Sequence, residues 1–163
     1  MRILVVGLAL LALLALSGCS DESKMKSACE GLAKTLAVDP GSVKINEISV
    51  IRSEISQRDL EAAYSRRFGG TPVSPETKRY YSGIYEKGSD LPIKYWVDID
   101  YTASESSGKA RSSMLCSYIS IRGNDLFLSS LSTGKREYYG YGLDALFMGK
   151  SLPSNLDLSF SIK

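Results

Sequence analysis

Asp98 and Asp100, two residues apart and followed by Thr102, are the side chains in this sequence best suited by type and spacing to do chemistry. In an extended strand, residues two apart share one face, so both carboxylates and the hydroxyl would stand together. One carboxylate could attack phosphorus while its neighbour moves a proton. The same pair could bind Ca²⁺ or flank a glycosidic bond, but a single pair supplies too few ligands for a cation that takes about six to eight oxygens. Ser-x-x-Lys occurs at Ser23–Lys26 and at Ser132–Lys135, a spacing in which a lysine can assist deprotonation of the hydroxyl. Against these stands an absence: the chain has no histidine. The usual base for Ser and Cys nucleophiles and the usual nitrogen ligand of zinc are therefore missing. Neither a Walker loop nor a Gly-x-Gly-x-x-Gly turn is present. The expectation is a protein that is not an enzyme, with no catalytic residues, metal site or cofactor.

Asp98-Ile-Asp100-Tyr-Thr102 resembles the nucleophile motif of the haloacid dehalogenase phosphatases, where the first Asp attacks phosphorus and the second is acid and base beside Mg²⁺. The resemblance implies a phosphatase-type hydrolase acting through Asp98 and Asp100, with the motif at the end of a parallel strand in a βαβ fold. The surrounding residues point elsewhere. Ile93, Tyr95, Val97, Ile99 and Tyr101 alternate with Lys94, Trp96, Asp98 and Asp100, the pattern of a half-buried strand. Ser106–Lys109 then reads as a turn, and residues 110–121 return as an antiparallel partner. On that reading both Asp residues lie on the solvent face. The Ser-x-x-Lys pairs resemble the acylation motif of penicillin-recognising enzymes, but the large two-domain body of those enzymes is missing.

The most specific signal lies at the N-terminus. Met1-Arg2 is a short positive start, and Ile3 to Leu16 carries no charged or polar side chain. That run is shorter than the roughly 20 residues a membrane-spanning helix needs, so it reads as the apolar core of a secretion signal. It ends in Leu16-Ser17-Gly18-Cys19, which resembles the lipobox of bacterial lipoproteins. The resemblance implies that the signal, residues 1–18, is removed. The Cys19 thiol would carry a diacylglyceryl group and its amine a further acyl chain such as palmitate. Ser20, rather than Asp, after the Cys implies the outer membrane, facing the periplasm, in a Gram-negative cell.

If the lipid takes Cys19, two of the three cysteines remain. Cys29 and Cys116 are then an even pair in a compartment where disulfides persist, and are expected to be bridged. The formal charge of the whole chain is only +2, and Arg2 supplies one unit of it, so nucleic acid is not an expected partner. The expected partners are the membrane, through the Cys19 lipid, and another protein of the cell envelope.

The elements that must position these residues can be read in order. Residues 19–24 form a short tether, and 25–163 a single α+β domain. Met25, Ala28, Cys29, Leu32, Ala33 and Leu36 recur at helical spacing, predicting a helix over about 22–38 that Asp39-Pro40-Gly41 ends. Val43 to Ile51 is rich in β-formers. Ser56-x-x-Asp59 opens a second helix that runs to Gly69-Gly70, and Ser74-Pro75 opens a third with Tyr80, Tyr81, Ile84 and Tyr85 on one side. After the central strands, Arg122–Asp125 turns into Leu126–Leu131, and a last strand is expected over Leu156–Ile162. Helices early and strands late predict an N-terminal helix packed on an antiparallel sheet in two layers, with one or two further short helices.

Ten tyrosines complete the inventory, densest in Arg136-Glu-Tyr-Tyr-Gly-Tyr-Gly142. Tyr, Trp and Arg combine contact area with a polar handle and are favoured at interfaces. Trp96, Arg136, Tyr138, Tyr139 and Tyr141 are therefore the candidate binding surface. The function expected first is a membrane-anchored binding or structural module for an envelope protein. A small-ligand or glycan binder, touching peptidoglycan, is the alternative, and the Asp98/Asp100 hydrolase comes third. A cleft lined by aromatics and carboxylates would favour the glycan binder.

Overall fold

The computed structural model describes residues 21–121, 125–134 and 136–163. The signal sequence, Cys19 with its lipobox, most of the Arg122–Asp125 turn and Lys135 of the Ser132–Lys135 pair lie outside the described residues.

The architecture is α+β. Helix α1 (Asp21–Leu36) is followed by a 3-10 turn (Pro40–Ser42), strand β1 (Lys44–Glu54), helix α2 (Gln57–Arg67) and helix α3 (Pro75–Lys87). Then come β2 (Ile93–Glu105), β3 (Gly108–Ile121), β4 (Asp125–Ser132), the short β5 (Glu137–Tyr138) and helix α4 (Tyr141–Phe147). The five strands form one antiparallel sheet in sequence order. Residues 21–24, assigned above to a tether, are the first turn of α1.

Local chemistry explains the boundaries. Asp39 caps the 3-10 turn by accepting from the Gly41 amide, and Pro40 stands at its start. Ser56 and Ser74 each cap a helix by accepting from the amide three residues on, Asp59 in α2 and Thr77 in α3. Gly88 ends α3 in the left-handed region at φ 63°. Ser106 and Ser107 make the tight turn that sends β2 back as β3.

Two groups of buried residues hold these elements. In the first, Met25, Ala28, Cys29, Leu32 and Ala33 of α1 pack with Val97, Ile99, Met114, Cys116, Tyr118, Leu128 and Leu131 of the sheet. The expected bridge is present: Cys29 is bonded to Cys116, tying α1 to β3. In the second, Leu60 of α2 and Tyr81 and Ile84 of α3 pack with Ile119, Ile121 and Phe127. Ile119 follows Tyr118 in β3, and Phe127 precedes Leu128 in β4, so this group meets the opposite side of the sheet.

Two expectations need correction. There are three further α-helices after α1 among the described residues, not one or two, because Tyr141–Phe147 is also helical. Leu156–Ile162 is not a strand. It is a turn closed by an isolated bridge between Leu156 and Ile162, with Ser161 bridged to Phe127. The Asp157 carboxylate causes this by accepting from the amides of Ser159 (2.8 Å) and Ser161 (2.9 Å). The turn sets Phe160 at φ 59° and buries it, while Leu158 points outward.

Candidate functional site

The paired carboxylates lie within β2, flanked on both sides by antiparallel strands. Asp100 is held by Arg111 across the β2–β3 pair, with both carboxylate oxygens 2.9 Å from Nε. Asn46 Nδ2 donates to Asp100 (3.3 Å) and to Thr102 Oγ1 (3.1 Å). The hydrogen bonds from Arg111 hold the Asp100 carboxyl below its usual range. Asp100 and Thr102 thus belong to a cross-strand surface network, not to the end of a parallel strand. Ser23 and Lys26 lie in the first turns of α1, where Lys26 Nζ pairs with Glu22 at 2.8 Å.

Of the candidate binding surface, Tyr139 and Tyr141 line one hollow with Arg66. Trp96 is half-buried and alternates with the buried Val97 and Ile99, on the same side of β2 as Asp98. Lys94 Nζ sits 4.9 Å from the centre of its ring. Burial, and next the charge of Arg66, push the Lys94 ammonium below its ordinary value. Tyr139 lies across a hollow from Lys94, shared with Ala63, Ser130 and Glu137, and Arg66 stands over its ring at 5.7 Å. Tyr138 instead packs against the core group that contains Leu131, its partner across β4–β5. Tyr141 is 67% exposed and contacts Gly69 at the end of α2, while Arg136 is exposed.

A concave site lies elsewhere, in a cleft of about 530 Å³ between α2, α3 and the start of β4. Helical spacing along α2 and α3 places their aromatic residues in series. Phe68 and Tyr64 have ring centres 5.0 Å apart, Tyr64 and Tyr81 5.7 Å, and Tyr81 and Tyr80 5.8 Å. Tyr81 is buried, while Phe68 and Tyr80 are each 46% exposed, so the series has a buried middle and two exposed ends. Burial, then the neighbouring Tyr64, push the Tyr81 hydroxyl well above its ordinary range. On the floor, the Arg67 guanidinium lies over Phe127, 4.4 Å from its centre, and donates to Ser159 O at 2.6 Å. Glu76 and Asp125 supply two carboxylates to the lining, and Thr77 a hydroxyl. Sequence reasoning placed Tyr80 and Tyr81 on one side of a helix but had no signal for Arg67, Glu76 and Asp125, which tertiary packing alone brings beside them.

Among the described residues, no three His, Cys, Asp or Glu side chains cluster at metal-binding distance, and no helix is long and apolar enough to cross a membrane. Comparison with protein-family models, curated proteins and solved structures finds no match to this chain.

Proposed function

We propose that this protein is a lipid-anchored module of the bacterial cell envelope, held by acylated Cys19, that binds a neutral glycan in the cleft between α2 and α3 without a chemical step. In a Gram-negative cell its place would be the outer membrane, facing the periplasm. On this reading α1 is the layer laid across the sheet, stapled by the disulfide, and α2 and α3 form the ligand site.

The supporting observation is the make-up of that cleft: a series of tyrosines with an arginine and two carboxylates in about 530 Å³. The size falls within the roughly 300–1,000 Å³ range of small-ligand sites. An apolar ligand would strip water from three charged groups without replacing their hydrogen bonds, which is costly. A phosphate or sulfate would face Glu76 and Asp125, and a cation would face Arg67. A polyhydroxylated ring satisfies all of them. Its hydroxyls donate to the carboxylates and accept from Arg67 and Thr77, and its C–H faces lie on the tyrosine rings. Peptidoglycan is the neutral-backbone glycan an envelope protein meets.

Calorimetric titration of the detergent-solubilised lipoprotein with tri-N-acetylglucosamine tests this. Tyr80→Ala and Glu76→Gln should each weaken binding by about tenfold, which corresponds to about 1.4 kcal/mol. No binding, or binding that neither substitution changes, would sink the reading. Labelling by a palmitate analogue, lost in Cys19→Ser, tests the anchor separately.

A second reading, an envelope protein docked on the β1–β2 end of the sheet beside Trp96, is favoured by one pair. Ile51 is 65% exposed and lies directly across from Trp96. Loss of a crosslinked envelope partner in Ile51→Asp, with glycan binding intact, would support that reading.

A further inference from the structure

The C-terminal segment is fastened to α1 along its length. Thr35 Oγ1 donates to Ser151 O at 3.1 Å, Gly31 packs against the Pro153 ring, and Asn155 Nδ2 donates to Lys24 O at 2.9 Å. Residues 151–155 therefore run antiparallel to α1, toward its first turn. Lys163 N donates to Asn155 O at 3.0 Å, so the turn over 156–162 starts and ends beside that first turn. At its tip is Leu158, 90% exposed.

This exposure is built into the turn. Asp157 accepts from the Ser159 and Ser161 amides and from Ser159 Oγ, Arg67 holds Ser159 O, and the neighbouring Phe160 is buried. Leu158 separates two apolar hollows, one of about 390 Å³ shared with Phe68 and Tyr141, the other shared with Leu152 and Lys163. Phe68, Tyr141 and Leu158 are all among the exposed large hydrophobic residues. An exposed apolar patch on a folded protein marks a contact surface.

We propose that this patch rests on the lipid bilayer, with Leu158 inserted and Phe68 and Tyr141 at the level of the headgroups. The inference relies on the reading of Cys19 as the lipid-bearing residue. Cys19 lies two positions before Asp21, and two residues reach at most about 7 Å. The acyl chains must then enter the membrane close to the first turn of α1, the turn bonded to Asn155. The composition suits the interface, where aromatic residues gather and basic side chains meet lipid phosphates. Arg67 and Lys163 border the hollows. Of the nearby acids, Glu22 is paired with Lys26, Asp157 is engaged within its turn, and Asp144 and Asp21 remain exposed.

Tryptophan fluorescence of the lipidated protein in phosphatidylethanolamine–phosphatidylglycerol vesicles with brominated acyl chains tests the contact. Trp96, the chain's one tryptophan, is replaced by Phe, and Leu158→Trp becomes the reporter. Val38→Trp, beyond the other end of α1 and exposed in the structure, is the control. The expected result is blue-shifted emission from the Leu158→Trp reporter, quenched several-fold more strongly than that of the Val38→Trp control. Reporter emission that bromine leaves untouched overturns the proposal, including the case in which a second copy covers the patch. Equal quenching of reporter and control overturns it too, because α1 would then lie flat on the membrane. Mass spectrometry of the same sample separates this from failure of the anchor: a Cys19 without lipid fells both readings, a lipidated Cys19 with an unquenched Leu158→Trp reporter only this one.

Discussion

The Sγ atoms of Cys29 and Cys116 are bonded across a sequence separation of 87, joining the first helix to the middle strand of the sheet. Both residues are wholly buried in the core group that also holds Val97, the neighbour of Cys116 across β2–β3. The covalent link removes a large loop's freedom from the unfolded chain, worth on the order of 4 kcal/mol in the chain-entropy model. The double substitution Cys29→Ala with Cys116→Ala should lower the unfolding free energy by about 3–4 kcal/mol. Urea unfolding of the oxidised protein and the double variant measures the difference. Equal midpoints would mean that packing alone sets the stability.

That pairing was legible from the even pair of cysteines left once Cys19 is set aside, and α1 and the β2–β3 hairpin were legible because each rests on a short-range pattern. Met25, Ala28, Cys29 and Leu32 repeat at helical spacing and all are buried. Val97 and Ile99 alternate with polar neighbours and are buried too. Leu156, Leu158, Phe160 and Ile162 alternate in the same way, yet the Asp157 carboxylate bends them into a turn and sends Leu158 and Phe160 in opposite directions. A side chain competing for backbone amides overrode the periodicity there. Helix α4 was hidden for another reason: it is seven residues long and is preceded by Gly140, which has no side chain to cap it. The cleft was not legible at all. Tyr64, Tyr80, Arg67 and Phe127 meet only because Leu60 and Ile84 seat two helices on the sheet.

Gly140 sits where α2 and α4 meet, at φ 48° and ψ −128°. A Cβ there would run into the carbonyl oxygens of Arg66 and Arg67, which are backbone and cannot swing away. Gly140→Ala should therefore cost about 2–3 kcal/mol of stability. Gly83 makes the contrast. It lies inside α3 with open space around its Cβ position, so Gly83→Ala should stabilise by up to about 1 kcal/mol through helix propensity. Urea denaturation of the two variants should move in opposite directions, and a shared direction would mean the helix junction is not a packing constraint.

Asp157 sets the acid limb of stability for its turn. The Ser159 hydroxyl, followed by the Ser161 amide, holds its carboxyl below the ordinary value of 3.8. The unfolded chain therefore takes up the proton first. The contribution of the turn is complete above the unfolded value and is lost as pH falls through the lower, folded one. Asp157→Asn should flatten the fall in stability between about pH 5 and about pH 2. Asp100 has the same sign through Arg111, but Arg111 is 74% exposed and water screens the pair, so Asp100→Asn should flatten the curve less. Unfolding curves across that pH range decide it; an unchanged slope in Asp157→Asn would remove the turn from the account.

Tyr118 and Tyr81 set the alkaline limb, with the opposite sign. Tyr118 is buried with its hydroxyl donating to Met25 O at 3.3 Å, and burial pushes it above the ordinary value of 10.0, as it does Tyr81. A raised folded value means the folded state keeps the proton longer than the unfolded chain does. The stability tied to these two neutral hydroxyls is intact below about 10 and is lost as pH rises above it. Tyrosinate absorbance should thus show a late stage that accompanies unfolding, to which these two contribute. Tyr118→Phe should remove one residue's absorbance from the late stage and shift alkaline unfolding to higher pH. If the late stage keeps its full amplitude, the tyrosine that resists ionisation is not the one that joins α1 to β3.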